Sequence, residues 1–210
     1  MFTVTHLDDY RVIVKECTIA IELEPNDHEI YNKRGLAYGY LAKYEEAIRD
    51  FKTSIGLKSD YAEAYNNLGA TYYFLEDYTD AIDNYTRAIE IKPDFVKAFI
   101  NRVNAFSNLK DYTHAIEDYT KVIELKPDFA EAYYNRGFTY KNINAYENAL
   151  NDFTKAIELK PDYALALFYR GLIYYKIGEF DKADEDWAKA IKLNPDFQKD
   201  VKALSKNVEV

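Results

Sequence analysis

Small and large apolar residues return along this chain every 34 residues, and the polar residues between them return in the same phase. With proline counted as the thirty-second residue of a unit, five units run without insertion: 28–61, 62–95, 96–129, 130–163 and 164–197. Slot eight holds Gly35, Gly69, Gly137 and Gly171, with Val103 the exception. Slot twenty holds Ala47, Ala81, Ala115, Ala149 and Ala183, and slot twenty-seven Ala88, Ala156 and Ala190, with Ser54 and Val122 in the remaining units. Large residues fill slot four (Tyr31, Tyr65, Phe99, Tyr133, Leu167), slot eleven (Tyr38, Tyr72, Phe106, Tyr140, Tyr174) and slot twenty-four (Phe51, Tyr85, Tyr119, Phe153, Trp187). Slots 4, 8 and 11 share one face of a first helix, and slots 17, 20, 24, 27 and 28 one face of a second. Small residues at 8, 20 and 27 let the two backbones approach while the aromatics fill the space beside them. Nothing alternates with period two, so no sheet is expected.

The punctuation has the same period. Pro93, Pro127, Pro161 and Pro195 follow at 34-residue steps, Pro25 lies two steps before Pro93, and Ser59 takes the vacant slot. Proline has no amide hydrogen and clashes with the preceding turn, so it ends each second helix. Slot thirty-three holds Asn26, Asp60, Asp94, Asp128, Asp162 and Asp196. These residues are expected to N-cap the next first helix, with Glu29, Glu63 and Glu131 completing capping boxes.

This spacing of small and large residues resembles the tetratricopeptide repeat. The segment AEAYNNLGATYYFLEDYTDAIDNYTRAIEIKPDF (62–95) matches at nearly every diagnostic slot, and the resemblance covers 28–197 in full. It implies an all-α, right-handed superhelical solenoid of antiparallel helix pairs, with the first helices lining a concave groove. It also implies a protein–protein interaction scaffold that grips a peptide or partner segment. Residues 1–27 read as an incomplete N-terminal repeat, mainly its second helix. Residues 198–210 read as a C-terminal capping helix and tail, with Val201 and Leu204 pointing inward. In the N-terminal half repeat Tyr10, Cys17 and Ala20 keep the second-helix pattern, while Ile13 replaces the alanine and adds to the expected bare apolar surface. A fragment of a longer array, a homodimer through this edge, or a tolerated exposed edge would each account for it. A self-association module, or a regulatory part of a larger enzyme, therefore stands as the alternative function.

At about 100° per residue, slots 2, 5, 6, 9, 12 and 13 cluster opposite the core slots. They supply an amide row of Asn32, Asn66, Asn67, Asn101, Asn104 and Asn135, together with Lys97 and Tyr73. Further along they supply an aromatic wall of Tyr134, Phe138, Phe168, Tyr169 and Tyr175. Each amide offers a donor and an acceptor to a peptide main chain; the alternative is a row that is merely solvated. The wall is expected to take apolar side chains. Many relatives hold a C-terminal carboxylate with a two-carboxylate clamp, which is matched here only at Asn67 and Lys97. Asn32, Leu36 and Asn101 stand where lysine, asparagine and arginine are needed, which argues against a heat-shock chaperone tail as ligand.

Slot seven carries Arg34, Arg102, Arg136 and Arg170 in the same units that carry Asp50, Asp118, Asp152 and Asp186 at slot twenty-three. Unit 62–95 loses both at once, to Leu68 and Asn84, so an Arg–Asp pair is expected to join the two helices of a unit. Asp83/Arg87, Glu117/Lys121 and Glu185/Lys189 read as surface i,i+4 pairs.

The net charge of −9 argues against nucleic acid, which needs a basic footprint. No apolar run approaches transmembrane length, so no membrane role is expected. Cys17 is the sole cysteine, which suits a reducing, cytoplasmic setting. His6, His28 and His114 have no partner at metal-binding spacing, and the chain has no nucleophile elbow or phosphate-cradling loop. Neither catalysis, metal nor cofactor is expected.

Overall fold

The computed structural model describes residues 4–205, which form twelve α-helices and no strand. Expectations for residues 1–3 and 206–210, and for the side chain of His6, lie outside the described residues. Four repeats give packed helix pairs: α2 (His28–Tyr40) with α3 (Tyr44–Leu57), α4 (Ala62–Phe74) with α5 (Tyr78–Ile91), α8 (Ala130–Asn142) with α9 (Tyr146–Leu159), and α10 (Ala164–Lys176) with α11 (Phe180–Leu193); repeat 96–129 supplies α6 (Val96–Asn108) and α7 (Tyr112–Leu125). They are flanked by α1 (Val4–Leu23) and α12 (Phe197–Ser205). The chain divides into two compact units, Met1–Asp111 with α1 to α6 and Tyr112–Val210 with α7 to α12. Within each, helices pack on their sequence neighbours, as in an all-α solenoid.

The glycine slot is a steric requirement. A Cβ built on Gly35 would stand 2.8 Å from the Phe51 ring, on Gly69 2.8 Å from Tyr85, and on Gly171 2.8 Å from Trp187. At Gly137 the nearest atom, Asp152 Cβ, is 3.1 Å away. Two further core slots on the first helix were not anticipated. Slot three buries Ala64, Ala98, Ala132 and Ala166, and slot ten buries Ala37, Thr71, Ala105, Thr139 and Ile173.

Each repeat turns through a left-handed residue at slot fifteen. Ala42, Glu76, Lys110 and Asn144 have φ of 56°, 62°, 59° and 59°, and only Gly178, at 84°, is the residue type that adopts this conformation freely. The next amide reaches back five residues to the slot-eleven carbonyl, as in Lys43 to Tyr38 (2.9 Å), Asp77 to Tyr72 (3.0 Å) and Glu179 to Tyr174 (2.9 Å). That closes the helix end as a Schellman motif. The second helices stop in phase whether or not proline follows. α3 ends at Leu57, before an extended Lys58 and then Ser59, and α5 ends at Ile91, before Lys92 and Pro93.

The N-caps differ from expectation by one residue. α2 is capped by Asp27, whose carboxylate accepts from the amides of Glu29 and Ile30. α4, α6, α8 and α10 begin after Tyr61, Phe95, Phe129 and Tyr163, which make no side-chain cap. Each of these aromatics is partly buried and donates its amide into the tight turn behind it, as Phe95 does to the Lys92 carbonyl at 3.0 Å. Asn26, Asp60, Asp94, Asp128 and Asp162 are thereby held one position too early and remain exposed; only Asp196 directly precedes a helix. Instead of closing capping boxes, Glu63 pairs with Lys92 and Glu131 with Lys160.

The arginine at slot seven joins three helices. Arg34 donates twice to Asp50 (2.7 and 2.8 Å) and once to Thr18 of α1 (3.1 Å). Arg136 holds Asp152 and Thr120 of α7 in the same way, and Arg170 holds Asp186 and Thr154 of α9. Arg102 donates to Thr86 of α5. The guanidinium also lies over the slot-four and slot-eleven rings, 5.7 Å from Tyr31 and 5.9 Å from Tyr38 for Arg34. At the one junction without the arginine all three partners change together, since Lys52 also replaces the threonine. Leu68 is buried against Ala47 and Phe51, and Asn84 turns back onto the Asp80 carbonyl at 2.8 Å. Of the expected surface pairs Lys189 meets Glu185, whereas Arg87 and Lys121 pair forward with Glu90 and Glu124.

α1 runs for 20 residues, so Leu7, Asp8 and Asp9 are helical where every other unit turns. Cys17 is buried, and burial pushes its thiol pKa up. Ile13 is half-buried rather than bare; the exposed apolar side chains are Leu7, Val12, Ile19 and Leu23.

Candidate functional site

In the first unit the first helices α2, α4 and α6 enclose a pocket of about 390 Å³. Leu36, Gly39 and Tyr40 of α2 and Ala70 and Phe74 of α4 form its apolar side, with Tyr44 and Phe51 of α3 behind them. Asn66 and Asn67 of α4 and Lys97 and Asn101 of α6 form the polar side. The rim is unusually exposed for aromatic side chains: Tyr40 retains 63% and Phe74 67% of its accessible surface. Tyr10 of α1 stacks on Tyr40 at 4.4 Å, and Tyr44 lies parallel to Phe74 at 6.3 Å. A Cβ on Gly39 would meet nothing within 4 Å, because it would point into the opening. Tyr40 and Phe74 lie outside both the expected amide row and the expected aromatic wall. The available signal was aromatic residues at slot thirteen, where other units carry Asn108, Asn142 and Lys176.

The amide row is bonded to itself. Asn101 Nδ2 donates to Asn66 Oδ1 (2.9 Å), Asn66 to Asn67 (3.4 Å), Asn67 to Asn32 (3.0 Å) and Asn32 to the Tyr61 hydroxyl (3.4 Å). In repeats 62–95 and 96–129 slot six thus reaches across to slot five of the repeat before it. That contact corrects the expectation that both slots are open: Asn32 is 7% and Asn66 2% exposed. The next first helix covers slot five and leaves slot six, with Asn67 and Asn101, half-exposed. A primary amide has two N–H donors and two acceptor lone pairs, so these bonds use only part of its capacity. Beyond the pocket, Asn108 donates to the Tyr73 hydroxyl (3.0 Å) and to the Asn104 carbonyl; Asn104 and Lys97 are exposed and Tyr73 half-buried.

The aromatic wall of the second unit is more closed than expected. Phe168 is 8% exposed because Phe197 of α12 stacks on it at 4.7 Å, and the Trp187 indole donates to its carbonyl. α12 covers this wall residue, and Phe168 belongs to the core rather than an open face. Tyr175 is half-buried, its hydroxyl donating to the Leu204 carbonyl at 3.1 Å. Tyr134, Phe138 and Tyr169 pack on one another, with Phe138 and Tyr169 edge to face at 5.0 Å and Tyr134 against Tyr163 at 4.9 Å. Burial drives the phenol pKa of Tyr134 upward and that of Tyr163 to about 12. Lys141 Nζ lies 4.1 Å from the Phe138 centroid and 4.9 Å from that of Tyr169, so the open side of this wall is cationic. Asn135 is half-buried, its carbonyl accepting from Thr139. Among the described residues no group of three or more His, Cys, Asp or Glu is placed to hold a metal ion. No helix among them is long and apolar enough to cross a membrane.

A family profile described as "Tetratricopeptide repeat" matches residues 62–95, 130–163 and 164–197, and one described as "TPR repeat" matches 40–75 and 104–144. Among solved structures the chain is similar to YrrB, described as "a TPR protein with an unusual peptide-binding site". The two are 25% identical over 90% of this chain and 97% of that one, with a TM-score of 0.77. A MamA protein is similar at 24% identity, covering 83% and 96% with a TM-score of 0.74. MamA from Desulfovibrio magneticus RS-1 is similar at 20%, covering 81% and 96% with a TM-score of 0.72. No curated protein sequence matches the chain.

Proposed function

The chain belongs to the tetratricopeptide-repeat family, a fold of protein–protein interaction scaffolds, and we propose that it holds a peptide or partner segment on the first-helix face of its first unit. The observation that carries this reading is the pocket of about 390 Å³, which sets exposed Tyr40 and Phe74 against a polar side of Asn67, Asn101 and Lys97. An apolar side chain of the partner enters between the rings and Leu36, removing their exposed surface from water. The remaining valences of the Asn67 and Asn101 amides meet the main chain beside it. YrrB, with the same fold, is described as having a peptide-binding site, which supports the class of ligand.

Gly39→Trp tests the site. The substitution meets no atom at Cβ and fills the opening with an indole. Dodecapeptides selected from a displayed random library on the wild type are expected to share an apolar anchor and to lose at least about 30-fold in affinity for Gly39→Trp, equivalent to about 2 kcal/mol. Equal affinity for both proteins rejects the pocket as the site.

A second reading rests on α1. Val12 and Ile19 are exposed at slots nineteen and twenty-six, where the five full units carry polar residues such as Glu46 and Thr53. Self-association through this strip would make the chain an assembly element. Sedimentation equilibrium decides it: a dimer disrupted by Ile19→Asp supports the reading, and a monomer at every concentration removes it.

A further inference from the structure

The second unit carries two lysines on adjacent first helices that lack a carboxylate. Lys121, Lys155, Lys160, Lys182 and Lys189 of the same unit each pair with a glutamate. Lys141 of α8 and Lys176 of α10 are in no ion pair among the described residues, which holds also for Lys126, Lys192, Lys199 and Lys202; the first two are set apart by lying against aromatic rings. Lys141 instead stands over the Phe138 and Tyr169 rings, and Lys176 Nζ lies 5.9 Å from the Tyr146 centroid. The rings hold the ammonium groups in place without neutralising them. Burial, and secondarily the charge of Lys176, pushes the Lys141 pKa down, so the two cations feel one another. In a chain of net charge −9, a repelling lysine pair on a half-buried aromatic floor is the reverse of the general surface.

We propose that Lys141 and Lys176 form a docking point for an acidic segment of a protein partner. Its carboxylates meet the two ammonium groups, and an apolar side chain next to them lies against Phe138 and Tyr169. Charge complementarity selects this occupant: two carboxylates relieve the lysine repulsion and pair with two ammonium groups that the rings already hold in place. A nucleic acid would have to overcome the surrounding negative charge. The site lies wholly in the second unit, so it stands or falls independently of the pocket in the first.

A synthetic peptide array tests it, each peptide carrying two glutamates at varied spacing around one phenylalanine or leucine, beside a copy with glutamine for glutamate and a copy with phosphoserine. The expected result is retention of glutamate peptides at least about tenfold above their glutamine copies, reduced by added salt. Retention should fall to the glutamine level in Lys176→Glu, whose side chain is exposed, and in Lys141→Gln. Unchanged helical circular dichroism and Trp187 fluorescence show that both variants are folded. Equal retention of glutamate and glutamine copies, no retention of any peptide, retention of phosphoserine copies alone, or full binding by folded Lys176→Glu overturns the proposal.

Discussion

Adding one methyl group at two glycines should move stability in opposite directions. At Gly171 a new Cβ would stand 2.8 Å from Trp187 Cδ1 and Nε1 and 3.2 Å from the Ala183 carbonyl oxygen. Trp187 is almost wholly buried, and its indole N–H is held by the Phe168 carbonyl at 3.2 Å, so the ring has nowhere to retreat. Overpacking of this kind costs about 1–3 kcal/mol. Alanine is favoured over glycine in a helix by about 0.8–1 kcal/mol, which offsets part of that. With contacts at 2.8 Å to a ring that is held in place, the overpacking cost lies in the upper part of its range, so Gly171→Ala should lose about 1–2 kcal/mol. At Gly39, also helical, the same methyl meets nothing within 4 Å. Only the propensity term remains, so Gly39→Ala should gain about 0.5–1 kcal/mol. Gly137→Ala, with its nearest contact at 3.1 Å, should lose less than Gly171→Ala. Urea titration followed by helical circular dichroism gives the midpoints, and fluorescence of Trp187, the only tryptophan, reports the α10–α11 pair directly. A Gly171→Ala protein as stable as the wild type would refute the packing account of slot eight, as would a destabilised Gly39→Ala.

Further outcomes follow from the fasteners between helices. Arg136→Met should cost about 3 kcal/mol or more by leaving the buried Asp152 carboxylate unpaired, measured by the shift in urea midpoint. Glu76→Gly should stabilise by about 0.5–1 kcal/mol, since glycine relieves the left-handed strain but costs unfolded-state entropy; a lower thermal midpoint would contradict this. Asn101→Ala should cost about 1–2 kcal/mol by removing a donor from the buried Asn66 amide, and unchanged stability would show that the relay does not fasten the repeats.

What was legible in the sequence was whatever left a large contrast in side-chain volume. Gly171 opposite Trp187 and Gly35 opposite Phe51 announce a close approach. Arg34 and Asp50 announce a bond through the unit where both are missing. Slot ten was hidden because alanine, threonine and isoleucine share no chemical signature there. The left-handed slot fifteen was hidden because four of five units bear the strain without glycine. The caps were misplaced because an aromatic that must pack inward takes the position that aspartate would otherwise hold. At the site, helical periodicity identified the face but not its depth. Whether Asn66 or Phe168 is open depends on what the next helix covers, which is Asn101 across one and Phe197 over the other. Tyr40 and Phe74 were missed because a pocket is made by what is absent beside it, here the Gly39 side chain.

Hydrogen–deuterium exchange of the protein with and without a selected peptide tests most directly whether partners are held on the first-helix face. The account predicts slowed exchange in residues 36–41 of α2 and its turn and in 66–75 of α4 and its turn, with α5 unchanged. Protection confined to the second helices, or to α1 alone, would contradict it.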